Sequence, residues 1–335
     1  MDKMKSASEY YNDTQTYTGS AGSSTNPYCI ETIDDFCSIS TGSTTSSQYY
    51  SSDNFMLVND INFNDSEYRR GITAVVADCS GGTLYGNGHS IYNMIFTVES
   101  PERCIRFDTI KDVNFVNLIY KSVVISSSSH PLQVKNTISC NFGIFVSSSE
   151  MSTIVGYAGA RYTDCTFNFF GSFDNNVKFT DGNSGDNNTF NSCWLNFNVT
   201  VSENPCSIPW LRTYQSGHCK VNFIDTALTG TITNTATGGT TNNNSSCYCI
   251  STMSFVNSYV AIEWKFPNWT ASGNSIQNNS ITTDGVSFIV TDKLTQKTSG
   301  AMYFSTNSSY LTLRSLTTAQ ATDREYLQSI SFVTI

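Results

Sequence analysis

One pattern recurs along this chain: a small or medium apolar residue, a free position, a large apolar residue, then further alternation. It appears in DVNFVNLIY at Val113 and Phe115, SCNFGIFV at Cys140 and Phe142, DCTFNFFGSF at Cys165 and Phe167, and SCWLNFNVTV at Cys193 and Leu195. KVNFIDTALTGTI at Val221 and Phe223 and TMSFVNSYVAIEW at Met253 and Phe255 continue it, with weaker members at Ile91 and Ile276. The spacing is irregular, about 22 to 32 residues, as in a stacked repeat whose loops vary in length. Period-two alternation between Gly, Asn, Ser and Thr clusters reads as short strands, and the middle of the chain offers no helix-length stripe of period 3.6. A propeller would need about four strands per ~40-residue blade, and a sandwich needs no repeating motif. A parallel β-helix needs one coil per ~25 residues, with inward apolar residues stacking on those of the next coil. The expected fold is therefore all-β, a single-stranded parallel β-helix.

The composition agrees. Ser, Thr and Asn make up about 120 of the 335 residues. Each coil turns tight corners, where Asn and Gly tolerate left-handed backbone and short polar side chains bond locally. Outward strand positions need polar residues compatible with β geometry, which Thr provides. The 11 cysteines include no CxxC and sit beside only 3 His, so a zinc site is not expected. Cys140, Cys165 and Cys193 take the slot that Val113, Val221 and Met253 fill elsewhere, and are expected to be an interior ladder of free thiols. No cofactor or metal is expected.

Four segments follow. Residues 1–28 have few apolar groups and four Tyr, and are expected to form an extended attachment arm ordered by a partner or a neighbouring protomer. Residues 29–54 are an N-terminal cap, in which IETIDDFCSIS places Ile30, Ile33 and Phe36 on a short helix face behind a Thr32 N-cap. Residues 55–315 are the β-helix. Residues 316–335 are a C-terminal cap, with a helix at about 318–328 and a strand at 330–335. Caps are needed because a bare end coil exposes unpaired strand edges.

Charge narrows the partners. Lys+Arg 18 against Asp+Glu 27 gives a net charge of -9, which disfavours nucleic acid. No apolar run approaches the ~20 residues of a membrane helix, so no membrane insertion is expected. The start of the chain lacks the apolar stretch of a secretory signal.

FMLVNDINFND followed by GGTLYGNGHSIYNM, behind IETIDDF, resembles the opening of right-handed parallel β-helix proteins of the pectin-lyase-like superfamily. The combination is more similar to virion proteins of tailed phages and related surface proteins than to pectinases. The closing YLQSISFVTI resembles the ends of similar phage β-helix proteins. The resemblance covers residues 30–95 and the last 20, and the coil pattern covers most of the rest. It implies a right-handed helix with short helical caps at both ends. It also implies a structural or adhesive virion component of a tail, baseplate or capsid-associated appendage, assembled in the host cytoplasm. Its implied partners are other virion proteins through the arm, a homotrimer, and a host surface glycan. A polysaccharide-degrading tailspike and a bacterial surface adhesin are the alternatives, since one fold hosts many functions.

Candidate site residues are few. The grouped Asp, Gly-His-Gly and Arg-x-Lys of polygalacturonase-like enzymes do not occur; Gly217-His218-Cys219 lacks the second Gly. Asp174, Asp181, Asp186 and Glu203 are loop carboxylates that stacking could bring within the ~5–10 Å of a glycosidase pair. They sit in turn-rich sequence, so the sequence leans against an enzyme. Trp194 is expected to face outward between inward Cys193 and Leu195 and to stack on a loop, a protomer or a sugar. Trp210, Arg212 and Tyr214 form a second candidate binding group.

Overall fold

A computed structural model describes residues 3–39, 49–65, 77–96, 103–121, 130–148, 159–174, 187–202, 221–234, 253–256, 259–266, 282–284, 287–288 and 300–302. These residues form two parallel sheets, one of ten strands and one of eleven, through which the chain passes alternately. Every pairing between successive coils is parallel; among the described strands only Gly300–Met302 pairs antiparallel, against Tyr259–Phe266. The chain is a parallel β-solenoid, as the repeat demanded. Register partners step from Ile61 to Ile91, Phe115, Phe142, Phe167, Leu195, Leu228 and Val260, so one coil takes 24 to 33 residues.

A two-residue corner joins the sheets in five successive coils. Asp112-Val113, Ser139-Cys140, Asp164-Cys165, Ser192-Cys193 and Asp225-Thr226 each follow a strand of the ten-stranded sheet and precede one of the other. The first residue of each pair is left-handed, with φ between 48° and 55°. Asp tolerates that region better than most residues; at two corners Ser accepts it. The ladder continues through the bend. Asp112 N–H donates to the Ile138 carbonyl at 3.0 Å, and Ser139 N–H to that of Thr163 at 2.9 Å. Asn141 N–H then donates to the Val113 carbonyl at 3.1 Å.

The second corner residue points inward, and here the ladder differs from the expected one. Its members are Val113, Cys140, Cys165, Cys193 and Thr226, all buried. Val221 instead pairs with Asn188 and Met253 with Val221, on the ten-stranded sheet. The cysteines are also more than small hydrophobes. Val113 N–H donates to Cys140 Sγ at 3.5 Å, and Cys193 N–H to Thr226 Oγ1 at 3.2 Å. The thiols donate in turn to carbonyls two residues back: Cys140 to Ile138 and Cys165 to Thr163, each at 3.2 Å. Thr226 does the same to Ile224 at 2.8 Å. A buried amide left over by the corner thus finds an acceptor on the next coil, which explains why Cys and Thr share the slot.

Inside, two aromatic stacks meet edge to face. Phe115, Phe142 and Phe167 stack with centroids 5.0 and 4.7 Å apart. Tyr162, Phe190 and Phe223 stack from the opposite sheet at 4.6 and 5.4 Å. Tyr162 meets Phe167 at 5.3 Å and 83°, the edge-to-face geometry that aromatic quadrupoles favour.

Glycine is required at two strand positions of special shape: at Gly171, with φ +115°, a Cβ would run into the Val146 carbonyl oxygen, and Gly230 is the second. Gly230 has φ +103°, and a Cβ there would run into the Phe197 carbonyl oxygen of the preceding coil. Gly230→Ala is expected to cost about 2–4 kcal/mol in urea unfolding, from backbone strain plus the clash. A loss under half a kcal/mol would show that the coil spacing relaxes freely.

The first coil is closed twice. The helix Ile33–Ser38 has Thr32 as N-cap in a capping box with Asp35, and buries Phe36 against Phe63 at 6.0 Å. Ile30 belongs to the strand before it, Tyr28–Ile30. Residues 3–28 differ from the expected extended arm. They fold onto the first coil of their own chain, where Ala7 N–H donates to Pro27 and Cys29 N–H to Lys5, both at 2.8 Å. Ser6 bridges Tyr28 antiparallel, and a short helix Ala7–Tyr10 starts at a Ser6/Glu9 capping box. Met4 and Ala7 are buried, and Tyr10 and Tyr17 pack on the cluster of Cys29, Met56 and Val58. The segment needs few apolar residues because its role is to satisfy an edge strand's backbone. The expected C-terminal cap lies outside the described residues.

Candidate functional site

The outer face of the eleven-stranded sheet is the most distinctive surface. It is built by Asn114–Lys121, Asn141–Ser148, Thr166–Asp174, Trp194–Ser202 and Ala227–Asn234. Alternation sends Phe142, Ile144 and Val146 inward and leaves Asn141, Phe145 and Ser147 exposed. Parallel in-register pairing then turns each outward position into a column running up the solenoid.

One column is apolar. Ile95 pairs with Ile119, Ile119 with Phe145, and Phe145 with Phe170. The isoleucines are half-buried, whereas Phe145 is 44% and Phe170 40% exposed. The column then turns polar at Asn198 and Thr231. Beside it runs an amide column: Asn196 Nδ2 donates to Asn168 Oδ1 at 3.3 Å, and Thr229 Oγ1 to Asn196 Oδ1 at 3.0 Å. Asn141 Nδ2 donates to Asn114 Oδ1 at 2.8 Å.

Trp194 belongs to this face, but not as an exposed platform. It is absent from the main core cluster that holds its neighbours Cys193 and Leu195, yet only 7% exposed. Its Nε1 donates to Thr229 Oγ1 of the next coil at 2.8 Å. The ring therefore lies across its own sheet and extends the amide network. Parity assigned its side of the strand; the partner one coil away determined that it is covered.

The predicted carboxylates are not shown to converge. Asp174 ends the strand Thr166–Asp174. Asp181, Asp186, Glu203, Trp210, Arg212 and Tyr214 lie outside the described residues.

The ten-stranded sheet carries the contrasting, charged face. Arg106 Nη1 lies 3.6 Å from Asp78 Oδ2, and Lys135 Nζ 3.4 Å from Asp108 Oδ1. Thr109 Oγ1 and Asn136 Nδ2 donate to Asp108 Oδ2 at 3.1 and 3.4 Å. Each carboxylate faces a cation on the following coil, so the chemistry here is coil-to-coil pairing. No linear motif announces it, since partners lie 27 or 28 residues apart. Among the described residues no group of three or more His, Cys, Asp or Glu is arranged to hold a metal ion. None of the described helices is long and apolar enough to cross a membrane.

No family model matches the chain. No curated protein matches it either. A solved structure from Bacteroides ovatus, described as a "putative immunoglobulin A1 protease", aligns with 79% of this chain and 85% of its own, at 15% identity and a TM-score of 0.45. At that identity and score, nothing of that protein's activity transfers to this chain.

The thiols are chemically quiet. Cys29, Cys79, Cys140, Cys165 and Cys193 are buried and unpaired by disulfides. Burial pushes Cys79 up to about 12, aided by the carboxylate of Asp53. Burial likewise raises Cys140 and Cys165 well above the ordinary thiol value. A nucleophilic or metal-ligating cysteine needs the opposite shift.

Proposed function

We propose that the chain is a structural or adhesive component of a tailed-phage virion, in which the solenoid is a rigid contact or host-binding surface. The observation that carries this reading is the flat outer face of the eleven-stranded sheet. It presents exposed Phe145 and Phe170 within ordered columns of Asn, Ser and Thr. Exposed aromatics grouped on one face of a polar protein mark a contact surface. The likeness of residues 30–95 to right-handed pectin-lyase-like β-helices of phage particles points in the same direction. So do the buried free thiols, which suit assembly in a reducing host cytoplasm. In this reading other virion proteins dock against the folded N-terminal segment, where Tyr11 is exposed beside Tyr10 and Tyr17.

The test is location. Antibody raised against the chain is used to probe purified phage particles from cells carrying its gene, by immunoblot and immunogold microscopy. The expected result is co-sedimentation with particles and labelling of a tail, baseplate or capsid appendage. Recovery in the host envelope, with particles unlabelled, would replace the reading with a bacterial surface adhesin. Release of sugar reducing ends from host polysaccharide by the purified chain would replace it with a degrading tailspike.

A further inference from the structure

We infer that two copies of this chain pair face to face through the outer surface of Asn114–Lys121, Asn141–Ser148, Thr166–Asp174, Trp194–Ser202 and Ala227–Asn234. This deepens the contact-surface reading by naming the occupant, and rests on it only in taking that face as a contact.

Charge is the first ground. Each copy carries a net charge of -9, so two copies repel unless they meet where charge is absent. Across those five strands the only residues charged at neutral pH are Lys121 and Asp174, each the last residue of its strand. The outer face of the other sheet holds Asp78, Arg106, Asp108 and Lys135 in ion pairs. The low-charge face is thus the one that a like-charged partner can approach without desolvating ions.

Area is the second ground. Five strands of eight or nine residues, at about 3.3 Å per residue and 4.8 Å per strand, span roughly 600 Å² of flat surface. Side-chain relief brings the accessible area towards the roughly 800 Å² per partner of a standard stable interface. Phe145 and Phe170 lie within this surface, where water exclusion makes apolar contacts most effective.

Symmetry is the third. A two-fold interface uses the same patch on both copies, and a pair closes once each has used it. A three-fold ring needs two different complementary patches on every copy. The face named here is one patch used by both copies, so it specifies a pair; the trimer implied by the family resemblance would need a second, complementary patch.

The experiment is the solution mass of the full chain by light scattering and sedimentation equilibrium. The full chain is expected at twice its 36.9 kDa, with pairing held or tightened as salt rises from about 0.05 to 0.5 M, because salt screens the repulsion between the two chains and breaks no ion pair in the contact. F145K/F170K, both at exposed positions, is expected to weaken pairing by about a hundredfold or more while retaining the β spectrum. Should that double variant fail to fold, Phe170→Asn, which carries the next residue of the column up one coil, is the second probe. It is expected to weaken pairing by about tenfold. A trimeric mass, or a dimer untouched by these variants, overturns the inference. A monomer overturns it too, including one whose mass shifts only on adding a neutral polysaccharide such as dextran, which would make a glycan the occupant. None of these outcomes alters where the chain is found in a particle, so the two tests fail separately.

Discussion

Phe167→Ala is expected to destabilise the chain by about 3–5 kcal/mol, the range for deleting a fully buried aromatic ring. Phe167 has no exposure and sits between four rings: Phe142 at 4.7 Å, Tyr162 at 5.3 Å, Phe190 at 5.8 Å and Phe169 at 5.9 Å. Two of these come from each sheet, so the ring is where the two stacks meet. Hydrogen-bonded ladders hold the coil spacing on both sides, and that spacing cannot shrink to fill the void. The loss is therefore expected near the upper part of the range, as for sites that relax poorly. A solenoid couples only neighbouring coils, so the damage should also be local. Hydrogen exchange is expected to accelerate first in Asn141–Ser148, Thr166–Asp174 and Trp194–Ser202. Urea unfolding that shifts by less than 1 kcal/mol would mean that the stacks are not the main source of core cohesion.

Legibility in the sequence follows from what kind of neighbour a residue has. Phe142, Phe167 and Leu195 were readable as interior because parity is a property of their own strand. Thr32, Asp35 and Phe36 were readable because a helix cap is local. Lateral neighbours were harder. Coils of 24 to 33 residues offer no fixed offset, so the repeat pattern places KVNFIDTALTG on Val221, whereas the corner falls at Asp225-Thr226. The signal that finds it is the pair of residues two and three positions before the large apolar one. Asp or Ser followed by Val, Cys or Thr marks every one of these corners. The ion pairs Asp78–Arg106 and Asp108–Lys135 depend wholly on register and left no trace in linear order. The N-terminal segment departs from the expected extended arm for another reason. Its main contacts are backbone bonds to an edge strand, such as Cys29 N–H to Lys5, and these carry almost no side-chain signature.

Alkaline pH is expected to unfold this protein well before its backbone chemistry is threatened, and the thiols decide the direction. Burial raises Cys79 to about 12, and burial with the neighbouring Glu31 carboxylate raises Cys29 to about 12, from an ordinary value of 9.0. Cys140 and Cys165 are raised as well, again chiefly by burial. Above pH 9 the unfolded chain loses these protons while the folded chain keeps them, so the unfolded state binds fewer protons and stability falls as pH rises. Below pH 9 both states are protonated and the contribution is complete. Each such thiol adds a slope of about 1.4 kcal/mol per pH unit between its two values. The four shifts share one sign, so their slopes reinforce one another. Buried tyrosines such as Tyr162 act in the same direction, so the thiol share must be isolated. Cys165→Thr does this, because Thr226 shows that the slot accepts a hydroxyl making the same carbonyl bonds. Urea midpoints measured from pH 8 to 11 are expected to fall steeply in the parent chain and less steeply, by one thiol's slope, in the variant. Parallel curves would mean that Cys165 ionises as readily in the folded chain as in the unfolded one, and would overturn its place among the thiols that set the alkaline limit.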